Sequence, residues 1–142
     1  MPIALTPAPF RSPLSGNVLI DPAGPWWTWF ELLRGYVLGF SNEPDADTQA
    51  QMNIAYIANG AGLVTLTLPE QLKVNDYIQV MGKGAGGWRI QLNSGQFIHG
   101  TSSTSSGGTL SSTNRYNSVT LKVMTTDTEL SVVSQVGTLT YA

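Results

Sequence analysis

From about residue 50 to the C-terminus, apolar and polar residues alternate over short segments bounded by Gly, Asn and Ser. That two-residue period predicts strands with one buried and one open face. Val64, Leu66 and Leu68 fall on one side of an extended segment, with Leu63, Thr65 and Thr67 on the other. Val119, Leu121 and Val123 oppose Thr120 and Lys122 in the same way. The pattern predicts strands over 53–58, 63–68, 77–81, 88–92, 96–99, 119–124, 130–134 and 137–141. Their spacing predicts a mainly β fold, an antiparallel β-sandwich or jelly-roll-like module over 50–142. The uncharged run from Thr101 to Thr113, rich in Ser, Thr and Gly, reads as a long exposed loop, and no internal repeat of useful length is expected.

The first 49 residues follow a different pattern. Pro2, Pro7, Pro9, Pro13, Pro22 and Pro25 remove backbone donors and fix φ, which excludes both helix and central strand over 1–25. The same stretch carries Ile3, Leu5, Phe10, Leu14, Val18, Leu19 and Ile20, too apolar for a solvated linker, so it reads as an extended arm that lies along a partner. Next, Pro25 at a first helical position and Gly39 near the end bracket a helix over about 26–40. Trp26, Trp29, Phe30, Leu33, Val37 and Phe40 recur at helical spacing, while Trp27, Leu32, Tyr36 and Leu38 cover much of the other side. A helix apolar all round is buried, and in a chain this short the economical cover is another copy. Phe10, Leu14, Trp26, Trp27, Trp29, Phe30, Leu33, Val37 and Phe40 are therefore the expected anchor and oligomer-interface residues. The acidic break from Ser41 to Asp47 separates this attachment segment, 1–49, from the β module.

Charge and composition narrow the function. Seven Lys+Arg against nine Asp+Glu give a net charge of −2, which removes the electrostatic basis for holding nucleic acid. Only 11% of the residues are charged, with Ser, Thr, Asn, Gln and Gly in their place, a surface suited to subunit contacts and to sugars. No apolar run approaches the ~20 residues that cross a bilayer, so no membrane insertion is expected. Residues 1–7 lack the basic and apolar regions of a secretory signal, so the chain is expected to be used from its first residue. Cysteine is absent, which excludes disulfides and thiolate metal sites.

The candidate chemistry is sparse. His99 is the single histidine, and a Ser-His-Asp arrangement would require it as base; the simpler reading is a strand-end histidine beside a loop. Gly82–Gly87 has the glycines of a phosphate loop, but the residues after it, Trp88–Leu92, read as a strand rather than a helix, so a glycine-rich hairpin or bulge is expected. Glu43, Asp45 and Asp47 have alternate spacing without the glycine and terminal glutamate of a calcium loop. The chain is expected to be no enzyme, and no metal or cofactor is expected.

Three segments carry a resemblance: Leu63–Pro69; Val80–Ile90 with its Gly-Lys-Gly-Ala-Gly-Gly-Trp run; and Gly95–His99. Together with the Ser/Thr/Gly loop, Leu110–Tyr116, Ser118–Val123 and the closing Val136–Leu139, they resemble β modules in tail-fibre and other appendage proteins of tailed bacteriophages. The Pro-rich arm followed by Trp26–Leu33 is similar to attachment segments at the start of phage virion proteins. The resemblance implies a non-enzymatic virion structural protein assembled in the bacterial host cytoplasm, a small trimeric fibre or tail appendage anchored by its N-terminus among other virion proteins of tail or capsid. A capsid decoration protein or head fibre is the alternative, and a free carbohydrate-binding module a second one. If a host surface glycan is bound, loops near Trp88, Arg89, Asn93 and Arg115 offer an aromatic face, amides and forked cations to it.

Overall fold

A computed structural model describes residues 40–142. The arm expected over 1–25 and all but the last residue of the helix expected over 26–40 lie outside the described residues, and with them Phe10, Leu14, Trp26, Trp27, Trp29, Phe30, Leu33 and Val37. Phe40, expected to close that helix, instead opens a strand.

The described residues form eleven strands and no helix: β1 (Phe40–Asn42), β2 (Thr48–Gln49), β3 (Ile54–Ala58), β4 (Val64–Thr67), β5 (Tyr77–Gly82), β6 (Trp88–Gln91), β7 (Phe97–His99), β8 (Thr109–Ser112), β9 (Ser118–Thr125), β10 (Glu129–Val136) and β11 (Thr140–Tyr141). They build a six-stranded sheet in the order β1-β3-β5-β9-β10-β7 and a five-stranded sheet in the order β11-β8-β6-β4-β2. From β1 to β9 the chain passes from one sheet to the other at every strand. The inward faces of both sheets share one core, with Tyr56, Ile78, Val80, Leu121 and Leu130 from the larger sheet and Val64, Leu66, Trp88, Ile90 and Leu110 from the smaller. The predicted inward sets, Val64–Leu66–Leu68 and Val119–Leu121–Val123, are buried as expected.

The pairing corrects the antiparallel expectation, because both sheets are mixed. β3 runs parallel to β5, β2 to β4, β4 to β6 and β7 to β10, while β5–β9, β9–β10, β6–β8 and β8–β11 are antiparallel. From β2 to β6 each return to a sheet is made in the same direction, which gives the parallel pairs β2–β4, β3–β5 and β4–β6, whereas β8 returns reversed beside β6 and β9 reversed beside β5. The winding also exposes a repeat that was not expected from the sequence. Ile54 pairs with Ile78 and Val64 with Trp88, the same separation of 24 residues that joins Asn53 to Tyr77. At that offset Asn59-Gly60-Ala61-Gly62 lies over Lys83-Gly84-Ala85-Gly86.

These corners stack backbone on backbone. Gly86 N–H donates to the Gly60 carbonyl at 3.2 Å, and Gly84 N–H donates to that of Ala58 at 2.9 Å. A Cβ on Gly84 would strike the Gly60 carbonyl oxygen, and one on Gly86 would strike the Gly62 carbonyl group, whereas a Cβ on Gly62 would meet nothing. Glycine is thus demanded in the later coil by the earlier one. The acidic break joins the same corner: Glu43 Oε1 accepts from Asn59 Nδ2 at 2.8 Å and pairs with Lys83 Nζ at 2.5 Å. Asp47 Oδ1 accepts from Thr65 N–H at 2.7 Å. These acids are structural ties that lock the first turn onto the second.

β8 crosses the segment expected to be a loop. Leu110 is fully buried, and within the remainder Thr104 is buried too, its Oγ1 accepting from Ile98 N–H at 2.9 Å.

Two outcomes follow. Gly86→Ala is expected to lower stability by roughly 3 kcal/mol, since rigid backbone opposes the new methyl, while Gly62→Ala stays within about 0.5 kcal/mol; chemical denaturation of the pair measures the difference. Burial pushes the Tyr56 phenol above its ordinary 10.0, although its oxygen accepts from Gln51 N–H at 2.8 Å. The unfolded chain therefore ionises this group first, so its contribution is intact below pH 10 and lost as pH rises from there through the folded value. Tyr56→Phe is expected to flatten the alkaline fall of stability relative to the parent chain, at a cost of about 1 kcal/mol at neutral pH for the lost acceptor.

Candidate functional site

The four residues expected to meet a glycan are not brought together. Trp88 is wholly inside, in the core between the sheets, and its Nε1–H donates to the Asn117 carbonyl at 3.0 Å. β6 begins at Trp88 right after Gly86 and Gly87, and inward alternation with Ile90 puts the indole in the core, where it cannot stack on a sugar. Asn93 is a turn residue: its Nδ2 donates to the Leu68 carbonyl at 2.7 Å and its N–H to Gln96 Oε1 at 2.9 Å. Gln96, itself buried, donates onward to the Pro69 carbonyl at 2.9 Å. Arg115 is exposed in the loop between β8 and β9, beside Tyr116, whose N–H donates to the Gly82 carbonyl at 2.6 Å.

Of the four, Arg89 is the one set on a strand face among hydroxyl side chains. It is on the outer face of the five-stranded sheet, paired with Thr65 on β4 and Ser111 on β8, with Thr140 of β11 next in the row. The adjacent row runs Thr109, Gln91 and Thr67. Gln91 is partly committed, since its Nε2 donates to the Gly107 carbonyl at 2.9 Å. The Arg89 Nε is buried with no hydrogen-bond partner among the described residues. This is a flat hydroxyl-lined face with one cation at its centre, able to exchange hydrogen bonds with sugar hydroxyls and to fork onto a carboxylate. Sequence alternation identifies Thr65 and Thr67 as outward, whereas Ser111 lies in the run expected to be a loop, and only the strand pairing reveals that all three surround Arg89.

His99 ends β7, as a strand-end histidine beside a loop. Its Nδ1 meets Ser103 Oγ at 2.9 Å, and its Nε2 stands 3.8 Å from Glu129 Oε1. Glu129 Oε2 accepts from Thr125 Oγ1 at 2.5 Å, and the Phe97 ring stacks on the imidazole at 6.4 Å. The residue types are those of a Ser-His-acid set, but the acid is beyond hydrogen-bond reach of the ring, and both His99 and Glu129 side chains are close to half exposed. Water competes for the bonds of such an open cluster, and in this arrangement the Glu129 carboxylate does not hydrogen-bond the ring. An open groove of about 540 Å³ runs beside it, between His99–Thr101 and Ser131–Gln135. Among the described residues no group of His, Asp and Glu is placed to hold a metal ion.

In comparisons with known proteins, the chain matches no family model and no curated sequence.

The geometry separates folding from contact. Trp88→Ala is expected to cost about 3–5 kcal/mol through the cavity left in the core, so any binding it abolishes reports unfolding. Arg89→Gln is expected to stay within about 0.5 kcal/mol of the parent. Thermal unfolding of the two variants beside the parent checks both.

Proposed function

We propose that the chain is a non-enzymatic structural protein of a tailed-bacteriophage virion, a small trimeric fibre or tail-appendage protein. In this reading residues 1–39, as arm and helix, fix it to the particle, and the two-sheet module, read as a sandwich, is displayed outward. The observation that carries the reading is the division of labour along the chain: a Pro-rich, Trp-rich, apolar start, followed by a compact module whose five-stranded sheet turns hydroxyls and a lone Arg89 to the outside. The first part has more apolar surface than one short chain covers. The second has its own core and can stand at the end of an anchor.

A second reading, capsid decoration or head-fibre function, draws support from one observation. Trp88 and Asn93, two of the four expected glycan contacts, are spent on the fold. A decoration protein needs only contacts to neighbouring virion subunits, and the hydroxyl face then serves as a hydrated exterior.

Trp29→Asp places a charge inside the proposed subunit bundle. It is expected to convert a trimer into monomers on light scattering of the full chain, because an uncompensated buried charge costs several kcal/mol. A parent chain that scatters as a monomer at micromolar concentration would sink the trimeric reading.

A further inference from the structure

Exposed large apolar side chains are distributed unevenly over the strands. Among the described residues Met81 of β5, Met124 of β9, and Val133 and Val136 of β10 are 40–62% exposed, and all four strand positions belong to the six-stranded sheet. The five-stranded sheet has none on its strands. The register aligns Ile57, Met81, Ser118 and Val136 in one row on the outer side of β3, β5, β9 and β10, in which Ser118 is itself buried. The next row is Ala55, Gln79, Thr120 and Ser134. Neither row contains an ionisable group, whereas the outward row of the opposite sheet is Thr65, Arg89, Ser111 and Thr140. One sheet is built to stay wet and the other to be covered.

We propose that the outer face of the six-stranded sheet is where copies of this chain meet, so that the larger sheets turn toward one another and the hydroxyl faces turn outward. This rests on the oligomeric reading above and adds to it the surface used by the β module. Charge favours a second copy as the occupant. The uncharged rows are flanked toward one end by Lys122 and Glu129, of opposite sign on neighbouring strands, so the face complements itself and offers no single-sign field to an acidic or basic partner. Size sets the role: four strands about 4.8 Å apart and a few outward rows make roughly 400 Å² per copy, about half of what one partner buries in a stable interface. The face therefore orients copies held together elsewhere and does not assemble them alone.

The full chain has no cysteine, so single thiols report this directly. Val136→Cys and Met81→Cys would be introduced separately, with Thr67→Cys on the five-stranded sheet as control, and maleimide labelling rates compared in the assembled chain and after dissociation by dilution or by Trp29→Asp. Light scattering would establish the state of each sample. The expected result is labelling slowed about tenfold or more by assembly at Val136→Cys and Met81→Cys, with Thr67→Cys unchanged. Fast labelling of the first two in a proven oligomer would overturn this face while leaving the oligomer standing. Equal slowness in oligomer and monomer would overturn it in favour of cover by the chain's own N-terminal residues. A parent chain that never associates would remove both the oligomeric reading and this surface.

Discussion

The contact on which the module depends is the seating of one glycine corner on another. Gly84 and Gly86 lie against the backbone of Gly60 and Gly62 so closely that no side chain fits between them. Backbone-to-backbone contact disfavours a shifted register, because a slip of a single residue would bring Lys83 or Ala85 into the space that only glycine fills. With the corner fixed, Ile54 must face Ile78 and Val64 must face Trp88. Inward and outward sets on β3 to β6 then follow from alternation alone. The antiparallel strands β8 and β9 complete each sheet on a template already determined by that stack.

Much of this was readable from the residues and part was not. Segments such as Val64–Thr67 and 119–123 announce themselves because their inward positions are large and their outward ones are Thr or Lys. β8 hides because Leu110 is its one large apolar residue, and its other residues are the Ser and Thr that also make loops. Alternation states which face a residue takes but not which strand lies beside it, so mixed pairing was beyond its reach. The 24-residue repeat was obscured because its two copies share little beyond Ile54 and Ile78, the Gly-Ala-Gly corner, and Leu68 and Leu92. The geometric requirement acts on the backbone, and backbone requirements leave a trace only where glycine is the answer.

The candidate site was legible in its chemistry but not in its membership. Arg89 and its hydroxyl neighbours carry the residue types expected for sugar recognition, yet Trp88, one position away, points the opposite way into the core. Adjacent residues on a strand cannot serve one surface. Asn93 shows a second limit: an amide that could meet a ligand instead satisfies the Leu68 carbonyl and belongs to the turn that Gln96 ties to Pro69. What remains available for contact is set by which polar groups the fold has not already used.

Alternation between sheets has a consequence for the order in which the structure can be made. A hairpin closes within a few residues, but here β3 must wait for β5 and β4 for β6, and β7 finds its parallel partner only when β10 exists. Closing loops of this length costs entropy before any burial offsets it, which places the module among slowly folding topologies. During synthesis the coils of β3 to β6 emerge together, yet the edge of β5 stays unpaired until β9 arrives, setting Leu121 beside Ile78 and Val119 beside Val80. The β9–β10 hairpin, the one long local pairing in the module, is therefore the piece that can form by itself and then close the stack that preceded it.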